Sequence, residues 1–191
     1  MGGEDKGLVE IAGRPMVSFV IDAMRPQVSG VVLNANRNQA RYGEFGCPVI
    51  ADRDHDYRGP LAGIARGMEF ATTRYVVVVP CDSPLVADDL VRRLHSAVSA
   101  AGTPIAAAHD GDRLQPVFAL LECSLRDDLN RYLDGGGRKI DRWYDDCGYA
   151  TADCSDAPDT FLNINTPADM RALEGRLAMR IEASRQANES Q

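Results

Sequence analysis

Four consecutive valines, Val76 to Val79, stand inside the stretch YVVVVPCDSP, Tyr75 to Pro84. The run is too short for a helix and too uniform for a half-exposed strand. It reads as a strand buried on both faces of a parallel sheet. Pro80 ends the strand, because proline cannot donate to a central ladder. Asp82 then sits just past the strand's carboxyl end, the edge at which open α/β sheets bind ligands. A carboxylate on that turn suits a metal ion held against a phosphate. Aspartate is also a common turn residue with no further role. From this stretch alone both readings stand open.

The rest of the chain repeats the theme. Pro15 to Met24 carries Val17, Val20, Ile21 and Met24 at helical spacing. Gly30 to Ala35 (GVVLNA) is a second buried strand, with Asn34 and Asn36 at its carboxyl end. These amides can bond a base, a ribose or a phosphate, or close an Asx-turn. Asn38 to Phe45 reads as a short helix, and Pro48 to Ala51 as a strand ending at Asp52. Asp52 opens a charged loop through Asp56, a pattern that is usually solvated.

Gly59-Pro60-Leu61-Ala62-Gly63 starts a helix to about Thr72, and its glycines fit a close approach to the backbone. Ala87 to Ala100 is a helix striped by Leu90, Val91, Leu94 and Val98, with Asp88 and Asp89 at its positive end. Pro104 to His109 and Leu114 to Leu121 form a hairpin across Asp110-Gly111-Asp112. A helix from Leu125 to Leu133 stops at Gly135-Gly136-Gly137, and Arg138 and Lys139 open another through Tyr144. That basic pair can hold an anion or simply start an exposed helix.

Tyr149 to Asp153 is a last short strand before FLNINTP. Within FLNINTP, Asn163 and Asn165 share one face of an extended segment. Thr166, Pro167 and Asp169 then begin a helix to about Ile181. The opening Met1 to Gly7 is a glycine-rich loop bearing Lys6. It suits either a phosphate contact or a loose terminus, and it lacks the Gly-Lys-Ser/Thr ending of a P-loop. Together these elements predict a three-layer α/β domain with a mostly parallel sheet and a late antiparallel hairpin. One domain is expected over 1–181, with a polar tail at 182–191.

The chain of 191 residues is 45% hydrophobic, which suits a full core. Its formal charge of −7 disfavours nucleic acid as a partner. The five cysteines are scattered without a C-x-x-C, so neither a disulfide framework nor a zinc site is indicated. A reducing cytoplasm is the expected setting. No apolar run approaches the length of a membrane span, so no membrane partner is expected.

Taken in order, MGGEDKG, VVLNANR, VIAD, GPLAG, PCDSP and FLNINTP resemble the molybdenum cofactor guanylyltransferases, within the Rossmann-like nucleotidyltransferases. The likeness spans nearly the whole chain. GPLAG is shared by several nucleotidyltransferases, whereas VVLNANR with NINTP is closer to the molybdenum enzymes. The resemblance implies transfer of GMP from GTP to molybdopterin, with Mg²⁺, and release of pyrophosphate. It implies that Lys6 contacts the GTP phosphates, that Asn34 and Asp52 hold the nucleotide, and that Asp82 ligates Mg²⁺ and touches GTP. Asn163 and Asn165 would line the active site, and Arg138 and Lys139 would face the pterin phosphate. Molybdoenzyme chaperones or cofactor-insertion proteins would be the further partners.

Two alternatives remain: a related enzyme using CTP or another acceptor, and a non-catalytic protein that binds the pterin or nucleotide. Family members open with a buried strand and a glycine-rich loop of the LAGG type ahead of the second glycine pair. This chain begins at the methionine after that loop. The expectation is a natural protein that starts further upstream, since a central strand carries much of a domain's ~5–15 kcal/mol of stability.

Overall fold

The computed structural model describes residues 5–52, 59–162, 169–177 and 179. It begins with a 3-10 turn at Lys6–Leu8 and a small antiparallel pair, β1 (Glu10–Ile11) with β2 (Arg14–Pro15). Helix α1 (Met16–Met24) follows, then β3 (Leu33–Asn34), α2 (Gln39–Gly43), β4 (Val49–Ile50), α3 (Pro60–Phe70) and β5 (Tyr75–Val78). The second half contains α4 (Leu90–Ala101), β6 (Ile105–His109), β7 (Leu114–Glu122), α5 (Arg126–Asp134), α6 (Ile140–Cys147) and β8 (Ala150–Asp153). Residues 169–177 are helical.

The main sheet has the order β5-β7-β6-β8. β5 and β6 each lie antiparallel to β7, and β6 lies parallel to β8. Three of its four strands therefore point one way, and the reversed strand is the second arm of the late hairpin. That hairpin forms where the Asp-Gly signal places it, with a register shift between Ala107 and Ala108. β3 and β4 form a separate parallel pair.

The sheet's two faces are read directly from side-chain alternation. Ala106, Ala108, Phe118 and Leu120 pack with Val20 and Met24 of α1 and with Leu90, Leu94 and Val98 of α4. Ile105, Ala107, Ala119 and Leu121 pack on the other face with Leu61, Ile64 and Met68 of α3, Leu129 and Leu133 of α5, and Trp143 and Tyr144 of α6. The result is helix, sheet, helix. In α4 the buried residues recur every fourth position, and each buried leucine contributes roughly 1.5–3 kcal/mol.

Two expectations about burial are corrected. Tyr75 to Val79 is half-buried throughout, although Val77 and Val79 face one core and Val76 and Val78 the other. The stretch 30–35 holds only a two-residue strand, and Val31 to Leu33 are likewise half-buried. The cause is topological. β5 hydrogen-bonds to β7 along one edge, and no hydrogen-bonded ladder joins it to β3 among the described residues. An apolar cleft of about 950 Å³ lies between them, lined by Val31, Val32, Tyr75, Val76 and Val77.

Local differences are smaller. The sequence of Leu8 to Ile11 suggests a short strand or extended piece; Leu8 ends the first turn, and Glu10–Ile11 form the strand. The helix expected from Arg138 starts at Ile140, after Lys139 in extended backbone. Gly59 explains the opening of the GPLAG segment: at φ 73° and ψ −168° it adopts a conformation open only to glycine, and Pro60 then supplies the first helical residue.

Candidate active site

Strands β3, β4 and β5 and the start of α3 open into a second cleft of about 520 Å³. Its walls include Asn34, Asp52, Gly59, Gly63 and Asp82. That volume lies within the usual range for a small-molecule site. The N-terminus of α3 opens into the same space, and a helix N-terminus favours an anion.

Asp52 follows β4 and is held from two sides. Asn34 donates its amide to Oδ1 at 2.8 Å, and Asn36 donates to Oδ2 at 2.7 Å. The Asp52 backbone N–H donates in return to the Asn36 side-chain oxygen at 2.8 Å. A β-carbon on Gly63 would lie 2.5 Å from the Asn34 amide nitrogen, so the glycine leaves room for this arrangement. Asn34 and Asn36 therefore act as a clamp on one carboxylate, a use of the NAN segment that its sequence did not reveal.

Lys6, near the start of the chain, and Asp82, near its middle, come together in space. The Lys6 ammonium lies 3.5 Å from Asp82 Oδ2, with the Asp82 side chain largely shielded. The anchor for Lys6 is its neighbour Asp5. Tyr42 donates its hydroxyl to Asp5 Oδ1 at 2.6 Å, and Asn38 donates to Oδ2 at 3.3 Å. Burial, then the Asp5 hydrogen bond, push the Tyr42 hydroxyl well above its ordinary pKa. Desolvation of the sulfur and the charges of Asp82 and Asp5 push the Cys81 thiol up to about 11, although the residue as a whole is exposed. Asp5, Tyr42 and Cys81 were not singled out from sequence for the site. Only their spatial meeting shows them.

The remaining candidates lie elsewhere. Arg138 donates to the carbonyls of Leu133 and Gly137, and so closes the turn after α5. Lys139 precedes α6, and its carbonyl accepts from the Tyr132 hydroxyl. Neither lines the cleft that holds Asp82. Asn163, Asn165 and the charged loop after Asp52 fall outside the described residues.

Among the described residues no group of three His, Cys, Asp or Glu side chains is placed to cage a metal. Asp82 nevertheless fits Mg²⁺ by the chemistry of its donor. That ion takes hard oxygens, is bound by one or two carboxylates, and completes its shell with substrate phosphates and water.

Residues 1–147 match the MobA-like NTP transferase domain. A molybdenum cofactor guanylyltransferase of Shewanella sediminis is 48% identical over 178 residues, covering 93% of this chain and 91% of the relative. The chain belongs to the MobA-like NTP transferase family. A second relative of the same name, from Shewanella pealeana, is 47% identical over the same share of this chain and 89% of its own.

Solved structures extend the likeness in fold. Molybdopterin-guanine dinucleotide biosynthesis protein A from Archaeoglobus fulgidus superposes with a TM-score of 0.76 at 23% identity, over 93% of this chain and 92% of the other. The 2-C-methyl-D-erythritol 4-phosphate cytidylyltransferase of Thermus thermophilus gives 0.67 at 18% identity, over 91% and 94%. The family fold is thus the Rossmann-like nucleotidyltransferase fold, and the three-layer expectation is met.

Proposed function

We propose that this chain transfers GMP from GTP to molybdopterin, forming the guanine dinucleotide form of the molybdenum cofactor and releasing pyrophosphate. The observation that carries the reading is the pairing of Lys6 with Asp82 at the sheet edge that also presents the clamped Asp52. The names of the close relatives support the choice of nucleotide and acceptor.

The reaction joins two anions. An oxygen of the pterin phosphate attacks the α-phosphorus of GTP and forms a new P–O bond. The bond from that phosphorus to the bridging oxygen breaks, and its electron pair leaves with pyrophosphate. Repulsion between the reactants is the main obstacle, so catalysis rests on positioning and charge neutralisation. Lys6 carries its ammonium to the leaving phosphates. Asp82 and phosphate oxygens would hold Mg²⁺, which when bound neutralises further phosphate charge. Asp52, fixed by Asn34 and Asn36, accepts hydrogen bonds from the nucleotide. No step needs a covalent bond to protein.

The reading includes a reducing, cytoplasmic setting. All five cysteines are free, and among the described residues no helix is long and apolar enough to cross a membrane.

The test is to incubate the chain with molybdopterin, Mg²⁺ and GTP labelled at the α-phosphate, and to separate the products. Label recovered in a pterin–guanine dinucleotide is the expected result. Label confined to GTP, or released as free GMP, contradicts the reading.

A further inference from the structure

The hydroxyl of Tyr42 stands between the two loops that carry Lys6 and Asp82. Its ring belongs to α2 and is buried against Val17, Ile21 and Ala35. On one side the hydroxyl donates to Asp5, the residue before Lys6, at 2.6 Å. On the other it faces the sulfur of Cys81, the residue before Asp82, across the Gly7 backbone.

Gly7 shows how closely the three parts meet. A β-carbon there would lie 2.6 Å from the Tyr42 oxygen and 3.0 Å from the Cys81 sulfur. Asn38 holds the other oxygen of Asp5 from a left-handed backbone at the start of α2. Asp5 is thereby fixed at both oxygens by α2, and Lys6 leaves it within reach of Asp82 at 3.5 Å.

We infer that Tyr42 is a positioning residue for nucleotidyl transfer: it holds the Asp5-Lys6 loop and the Cys81-Asp82 loop at a fixed spacing through one buried hydroxyl. This rests on the function proposed above. Tyr42 touches no reacting atom in this account. It acts through Asp5 and Cys81, and a shift of about 1 Å between the two loops is enough to slow the chemistry on the order of a hundredfold.

Tyr42→Phe tests this, because the ring and its packing remain and only the hydroxyl is lost. In steady-state assays with GTP, Mg²⁺ and molybdopterin, kcat should fall by roughly tenfold or more, with a smaller change in KM. The same substitution on a Lys6→Ala background should cost less than about twofold, because the group being positioned is already gone. Val98→Ala, in the core of α4, serves as a comparably destabilised control with parental kcat. An equal loss on both backgrounds, or an unchanged kcat, overturns the inference.

A second arm does not depend on turnover. Backbone hydrogen exchange, read by mass spectrometry in the peptides that carry Lys6 and Asp82, should run at least about threefold faster in Tyr42→Phe, since the two loops lose a shared anchor. Unchanged exchange in both peptides overturns the anchor. If the parental chain forms no dinucleotide, the functional reading fails by itself, and the exchange arm still decides the anchor.

Discussion

At the scale of single residues, the site is built from pairs whose members are far apart in sequence. Asp82 is the most direct case, because Lys6 and the phosphates both depend on its charge. Asp82→Asn should remove Mg²⁺-dependent turnover by about a thousandfold while the thermal midpoint stays close to parental, since the residue lies in a turn. Retained turnover would take the metal role from Asp82. Asn36 makes a subtler contribution through its two bonds to Asp52. Asn36→Ala should raise KM for GTP roughly fivefold and change kcat little, because ground-state positioning of the nucleotide is what is lost. A fall in kcat at constant KM would instead give Asn36 a part in the chemistry. Lys6, Asn34, Asp52 and Asp82 were legible as candidates from motif and strand-end position. The clamp by Asn36 and the anchors Asp5 and Tyr42 were not, because a hydrogen bond between residues separated by some 37 positions leaves no local pattern.

At the scale of elements, most helices follow from their apolar stripes, and the hairpin follows from its turn chemistry. Asp110 shows why that turn is specific. Its Oδ1 accepts from the backbone N–H of Asp112 and Arg113, and Oδ2 accepts from the Gln115 amide. These bonds lower its pKa from 3.8 to about 2, with the Arg113 backbone bond the largest cause. A depressed carboxyl pKa stabilises the folded form above the unfolded pKa, and the effect is lost as pH falls through the folded one. The parental chain should therefore lose more thermal stability between pH 5 and about pH 2 than Asp110→Asn does. Equal losses would show that the turn bonds do not depend on the charge. The strands were less legible than the helices. A run of valines reports that its environment is apolar, but not whether a neighbouring strand is hydrogen-bonded on each side. Hence Val76 to Val79 reads as fully buried, while β5 has β7 on one edge and an open apolar cleft on the other. The basic pair after three glycines is another case. Arg138 is taken up by carbonyls at the end of α5, and Gly137 lies so close to the Tyr132 ring that a β-carbon would sit 2.4 Å from it. The glycines thus have a packing reason of their own.

At the scale of the whole molecule, two helical layers enclose a sheet whose carboxyl edge gathers the polar groups. The sequence order of strand, helix and strand-end polar residue is enough to predict that edge, because right-handed connections bring parallel strand ends to one side. What the order does not convey is how the first residues meet the middle of the chain, which required Lys6 to be seen against Asp82. Guanylyl transfer at this edge is the proposal on which the other roles depend. The most direct measurement is Mg²⁺-dependent pyrophosphate release in the presence of molybdopterin, with GTP and CTP in parallel reactions of the same chain. Release is expected with GTP, none above background with CTP, and none from GTP once Mg²⁺ is chelated. Release that prefers CTP, or that proceeds from GTP without a divalent ion, would contradict it.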